Sequence, residues 1–346
     1  MKRQVTVVKP RTGIVPLAFA AFAIALLSGC VNQSFTLYSE NDRYFAGTDR
    51  HYTNGAKFSY SDQLAHPEFS ALGRKLDDLG RQLRVFEPPS VNGQPVDLKL
   101  SFSFGQDIYT PTEIHTAALI TDDRPYAAWL YGAVAFQRQE IDLLQTIELQ
   151  LGVIGPMALG REIQNGFHDL IGVAHAEGWG HQLRNEPGAS LAYDWRYRWL
   201  RGSTSTQPDT GFAFDVIRRY GVTVGNPRTY LHGGPALRAG WNLPDDFGPD
   251  LIRSGGGSGA LIRGASVFLF GSADARLVAR DAFLDGNLFH HTSTVRKRPL
   301  VGDFSAGLAF YLGWLHLAYT QNYRTLEFYA QKQRDVFGSI SVSVVR

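Results

Sequence analysis

His168 stands in a stretch, Met157 to Ile171, whose spacing predicts a helix ended by Gly172. Gln164 lies four residues before it and Asn165 three before it, so an amide on the same helix face can face or steady the imidazole. A neutral imidazole suits the removal of a proton from water near neutral pH. A lone helical histidine is more often a packing or surface residue, so its chemistry depends on what stands beside it. Four other polar clusters are candidates: Glu40-Asn41-Asp42, the run from Asp49 to Gly55 that includes Thr53, Gln106 to Pro111 with Asp107, and Asp122 to Tyr126 with Arg124. Asn41 and Asp42 offer hard amide and carboxylate oxygens of the kind Ca2+ takes, and such an ion would face a developing oxyanion. Thr53 and Gln164 are candidates for placing an ester or a water. No Gly-x-Ser-x-Gly occurs, so attack by metal-polarised water is simpler than a serine nucleophile. Zinc is disfavoured because no His-x-x-x-His or cysteine cluster is present. The chemistry these residues suit is ester hydrolysis.

The elements that must position them are strands. Leu98, Leu100, Phe102 and Phe104 alternate with Lys99, Ser101 and Ser103. Tyr193, Trp195, Tyr197 and Trp199 alternate with Asp194, Arg196 and Arg198. Period-2 alternation also marks a soluble sandwich. Three features favour a membrane barrel: charge on the polar face of strand after strand, aromatics at strand ends, and an export signal. The fold expected is therefore all-β, a closed antiparallel transmembrane β-barrel of about twelve strands with a short helix in an extracellular loop. The strands expected are 34–41, 52–62, 98–107, 124–137, 143–154, 190–200, 211–224, 233–242, 261–283, 301–311, 314–326 and 337–345. With the first strand running outward, all the polar clusters named above fall at the extracellular rim. A helix-like stretch from Phe69 to Leu83 falls instead on the periplasmic side.

Residues 1–30 read as a signal peptide: a basic start, an apolar run from Ile14 to Leu27 too short to span a bilayer, then Leu27-Ser28-Gly29-Cys30 as a lipobox with Cys30 lipidated. Residues 31–346 form the barrel. The single cysteine excludes an intramolecular disulfide. The formal charge of +2 resides in the first thirty residues, which hold Lys2, Arg3, Lys9 and Arg11 and no acid. The remainder is slightly acidic, so no nucleic-acid surface is expected.

The motifs together resemble the lipid A 3'-O-deacylases of the Gram-negative outer membrane. The matching pieces are Glu40-Asn-Asp42, Thr48 to Gly55, Phe104-Gly-Gln-Asp-Ile-Tyr-Thr-Pro111, Asp123-Arg124, Gly152-Val-Ile-Gly-Pro156, and Gln164-Asn-Gly-Phe-His168 with Ile171-Gly172. The resemblance implies a twelve-stranded barrel whose active site lies between the wall and an extracellular helix. It also implies Ca2+ for the oxyanion, His168 as the base that activates water, and Asn41, Asp42 and Thr53 in functional positions. The substrate implied is lipid A, cleaved at its 3'-linked acyloxyacyl chain, in the outer leaflet. One departure stands out: a functional carboxylate of the family falls where this chain has Ala174, with Glu177 as a candidate substitute metal ligand. Gln164, Gln106, Asp107 and Arg124 are the expected substrate contacts, and Arg124 and His232 are candidates for lipid A phosphates. The chain is expected to act as a monomer among outer-membrane lipids. A phospholipase on the same scaffold, or a non-catalytic porin or structural barrel, are the alternatives.

Overall fold

Lipid offers the backbone no hydrogen bonds, so a chain of amphipathic strands can cross it only by pairing every strand on both sides. The computed structural model of the protein, which describes residues 33–42, 44, 51–64, 67–87, 96–205, 210–249 and 264–346, does this with twelve antiparallel strands. They are β1 Gln33–Asn41, β2 His51–Gln63, β3 Asp97–Thr110, β4 Ala127–Gln139, β5 Leu143–Ile154, β6 Glu186–Ser203, β7 Phe212–Gly225, β8 Arg228–Trp241, β9 Ala265–Asp281, β10 Leu300–Leu312, β11 Leu315–Arg324 and β12 Asp335–Val345. Each pairs with its neighbour in sequence, and β12 pairs with β1 from Ser34↔Val345 to Asn41↔Gly338 to close the barrel. Among the described residues two helices longer than a single turn lie between strands, at opposite ends of the barrel: α1, Pro67–Gln82, between β2 and β3, and α2, Gly160–Ile171, between β5 and β6; a single helical turn, Ala282–Asp285, follows β9.

All twelve expected strands are present. The largest departures are where alternation is weakest: β6 begins at Glu186, through Pro187 and Gly188, and β8 begins at Arg228, directly after a tight turn at Asn226 and Pro227. The signal peptide, the Cys30 lipobox and the Gly-rich run 254–259 lie outside the described residues.

Alternation sets the two faces. Leu37, Phe104, Leu151, Leu269 and Leu277 are exposed on the outside, where lipid rather than water surrounds them. Inside, Ser59 bonds Ser103 at 2.7 Å, Ser101 bonds Ser61 at 2.8 Å, and the buried Lys57 pairs with Glu148 at 3.5 Å. The periplasmic end of the lumen is filled by the segment after β8. Asp246 pairs with Arg238, which also reaches Asp215 at 2.5 Å, while Arg198 lies over the Phe247 ring at 4.8 Å. At the other end Arg276 and Arg324 meet Asp303 at 2.6 and 2.7 Å, and Glu327 joins them. This second layer borders a cavity of about 80 Å³, lined by Arg276, Asp303, Arg324 and Glu327 and by Glu40, Tyr52, Asp107, Arg228 and Asp281 among others.

Candidate active site

At the rim opposite the termini, β1, β2 and β3 are in register: Asn41 pairs with Asn54, and Asn54 with Ile108. A bulge between Tyr52 and Asn54 lets Thr53 turn outward, where its hydroxyl meets that of Thr110 at 2.6 Å. By alternation from the exposed Leu37 and Phe104, Asn41 and Gln106 share this outer face. Asn41, Asp42, Thr53 and Ile108 are nevertheless buried, because polypeptide covers the wall here.

The cover is the segment after β5. Gly155 takes φ 98°, and a side chain there would fall 2.5 Å from the Arg184 carbonyl, so only glycine makes this turn. A single 3-10 turn, Pro156–Ala158, follows, and Gln106 Nε2 donates to the Ala158 carbonyl at 2.6 Å, tying the turn to the wall. Leu159, in the left-handed region at φ 59°, then opens α2. Gly160 brings the helix against the barrel: a Cβ there would lie 2.6 Å from both Ala128 Cβ and the Trp179 ring. Ile163 and Trp179 pack with Ile108, Tyr126 and Ala128, which fixes one face of α2 inward. That face carries Gln164 and His168, both buried, whereas Met157, Phe167, Leu170 and Ile171 are exposed apolar side chains.

After Gly172 ends α2 in the left-handed region, the chain folds back over it. His168 Nδ1 lies 2.6 Å from the Ala174 carbonyl. A carbonyl can only accept, so Nδ1 carries the proton and Nε2 bears the lone pair. Asn165 accepts from the Ala176 N–H at 3.0 Å, and the Trp179 indole donates to Gln164 Oε1 at 3.0 Å. The loop 111–126 is anchored nearby by Asp123. Burial raises this carboxyl, but hydrogen bonds from His51 and the Thr112 backbone N–H outweigh that and hold it at about 2.

His168, Gln164, Asn41, Asp42, Thr53 and Gln106 thus all lie at one rim: α2 packs on the wall at β3 and β4, and Asn41, Asp42 and Thr53 belong to the adjoining ends of β1 and β2. Four expected residues do not join them. Arg124 turns into the lumen mouth, buried over the Tyr109 ring at 4.9 Å and paired with Glu327 at 3.3 Å; its charge is taken up there and does not face a lipid phosphate. Asp107 also faces the lumen, 3.7 Å from Arg228. Glu177 is exposed, and among the described residues no three His, Cys, Asp or Glu side chains are grouped to hold a metal, so it does not complete a cluster with Asp42 and His168. His232, expected in an outer loop, lies within β8, 3.2 Å from Asp194. The sequence reading missed Gly160, Trp179 and the backbone of Ala174. The last is invisible to any search for side chains, since a peptide oxygen orients the imidazole.

The donors that remain fit a calcium ion by type: one carboxylate, one amide and neighbouring hydroxyls are hard oxygens, set in a buried rim. With a single carboxylate, water and backbone oxygens would have to complete the shell.

A closed barrel with an apolar outer wall, and at its rim a buried histidine oriented by a backbone carbonyl, defines an outer-membrane β-barrel protein. Residues 14–346 match the family model described as Outer membrane protein LpxR, and the chain belongs to this family, the one whose motifs it carries. The chain is similar in structure to LpxR from Salmonella typhimurium, at 20% identity and TM-score 0.69, over 90% of this chain and 100% of that one. The β domain of the Bordetella autotransporter BrkA is a more distant neighbour, at 9% identity and TM-score 0.45 over 91% of this chain and 98% of that one. No curated protein sequence matches the chain.

Proposed function

We propose that the protein is a lipid A deacylase of the outer leaflet, a Ca2+-dependent ester hydrolase that removes the 3'-linked acyloxyacyl chain with His168 as general base. The observation that carries this reading is the His168 imidazole, buried between helix and wall with Nδ1 bonded to the Ala174 carbonyl. With Nδ1–H donating to that carbonyl, the neutral imidazole takes a proton from water at Nε2 as the water oxygen attacks the ester carbonyl carbon. The acyl C–O bond then breaks, and the same Nε2 returns the proton to the departing sugar oxygen. Asn41 and Asp42 would hold calcium, which when bound supplies positive charge opposite the oxyanion. Thr53 and Gln164 line the approach. The exposed Met157, Phe167, Leu170 and Ile171 continue the apolar outer surface up to the helix, so a fatty chain reaches the pocket without leaving an apolar surrounding.

The test is mass spectrometry of lipid A from cells expressing wild type or His168→Gln. Loss of an acyloxyacyl group with wild type only supports the proposal; identical spectra at equal barrel levels refute it. Purified protein given phospholipid and lipid A side by side separates this activity from that of a phospholipase.

A further inference from the structure

Periplasmic connections of outer-membrane barrels are usually short turns, yet 64–96 between β2 and β3 contains α1. Its seat is unusual. Counting alternation from the exposed Phe102 and Val134, Leu98, Leu100, Phe136 and Arg138 all point outward from the barrel. These outward residues, not the lumen, are what α1 covers. Leu76 of the helix packs against the buried cluster of Leu64, Phe86, Leu100 and Phe136, as Ile147 of the wall also does. Asp77 accepts from the buried Arg138 at 3.0 Å, and Glu140 binds the same guanidinium at 2.6 Å. Gly73 and Gly80, two turns apart, make the close approach: a Cβ would fall 2.5 Å from Leu64 and collide with the Phe86 ring. After the helix, the Val85 carbonyl accepts from Tyr193 at 3.0 Å, and Glu87 from the Trp195 indole at 3.1 Å. The helix is therefore clamped against the outside of the wall.

At about 100° per residue, the Gly73–Gly80 line divides α1 into two flanks. One flank holds Leu72 and Leu79, and Leu83, just past the helix end with its N–H still bonded to the Leu79 carbonyl, continues it; 45, 49 and 65% of their surface is exposed. The opposite flank holds Arg74, Asp78 and Arg81. Their direction is fixed by the wall. Asp77, on the charged side, meets Arg138 next to the β4–β5 turn, whereas Leu76, on the leucine side, packs on the cluster whose wall residues, Leu100 and Phe136, lie farther toward mid-membrane. The exposed leucines thus point toward the bilayer and adjoin the apolar belt of Phe102, Val134 and Leu149. The charged flank points to the periplasm. Lys75 and Arg84 are exposed and long enough to reach headgroups from beside the leucines.

We infer that α1 is an interfacial helix that inserts its Leu72–Leu79–Leu83 flank into the periplasmic phospholipid leaflet and so fixes the depth of the barrel from below. Its partner is the boundary between glycerophospholipid headgroups and acyl chains, which suits a helix split lengthwise into apolar and charged flanks. The extracellular chemistry plays no part in this.

The test uses full-length protein with Cys30→Ser, reconstituted in phosphatidylethanolamine/phosphatidylglycerol vesicles, with nitroxides at Leu79→Cys, Leu83→Cys, Leu149→Cys on the wall and Arg74→Cys. The 79 and 83 labels should share the high oxygen and low nickel-chelate accessibility of the wall label, and the 74 label should show the reverse. If 79 and 83 behave like 74, the inference is overturned. A benzophenone amino acid at position 79 in cells gives a second readout. A phospholipid adduct is expected there and none at position 74; a crosslink to a protein, or to a second copy of the chain, would overturn the assignment.

Discussion

Gly160→Ala tests most directly whether the seating of α2 controls the chemistry. The added methyl would lie 2.6 Å from Ala128 Cβ and from the Trp179 ring, against an ordinary contact of 3.4–4 Å. Neither neighbour can yield cheaply: the first is fixed to the backbone of β4, and the second is a buried indole bonded to Gln164. The helix must move out by ~1 Å, a misplacement that costs on the order of a hundredfold in rate when a catalytic group rides on it. Gly166→Ala is the control on the same helix. A Cβ there meets nothing within 4 Å, and replacing a helical glycine by alanine should stabilise α2 by about 1 kcal/mol. The assay is lipid A deacylation by purified variants, normalised to folded barrel by heat-modifiable gel mobility. Gly160→Ala should lose about tenfold to a hundredfold in rate with its mobility unchanged, and Gly166→Ala should match wild type. Wild-type rate in Gly160→Ala would refute the argument that wall contact sets the position of His168.

Three further outcomes are expected. EGTA should abolish deacylation and added Ca2+ restore it, while His168→Gln should remain about a hundredfold to ten-thousandfold slow at any Ca2+ concentration; full rate in chelator would remove calcium from the reaction. Wild-type protein in planar bilayers should pass no steady current, because ion-paired side chains fill both ends of the lumen; a conducting wild type would favour the porin reading. Burial raises the Asp123 and Glu327 carboxyls, but hydrogen bonds to the first and Arg324, Arg124 and Arg276 around the second hold both at about 2. Carboxyls depressed in the folded state stabilise it above their unfolded value near 4 and lose that contribution as pH falls through about 2, so intrinsic fluorescence should report intact rim loops at pH 5 and their release only below about pH 4.

Strands were legible because lipid on one side and a polar lumen on the other impose a two-residue rhythm that any single strand must show. The expected span 143–154 coincides with β5, and α2 was signalled by Gly155-Pro156 before it and Gly172 after it. Which polar residues face the pocket was harder to read, since one residue's difference in alternation sends a side chain to the opposite face. Gln106 and Asp107 are adjacent in sequence, yet the first ties down the outer cover and the second lines the lumen. Arg124 was misplaced because its loop folds inward before β4 begins at Ala127, a turn that no local pattern announces. The departure at Ala174 read as a missing acid, but the position contributes through its carbonyl, and a carbonyl is present whatever the residue.

Asn41 has Asn54 on one side and Gly338, eight residues from the chain's end, on the other. The seam of the cylinder thus runs through the pocket. Before the last strand is laid down, the first has an open edge and the pocket one unfinished side, so the protein can be active only after its final strand has found its first. Hydrolysis of the surrounding lipid is in this way confined to molecules already sealed into the membrane they act upon.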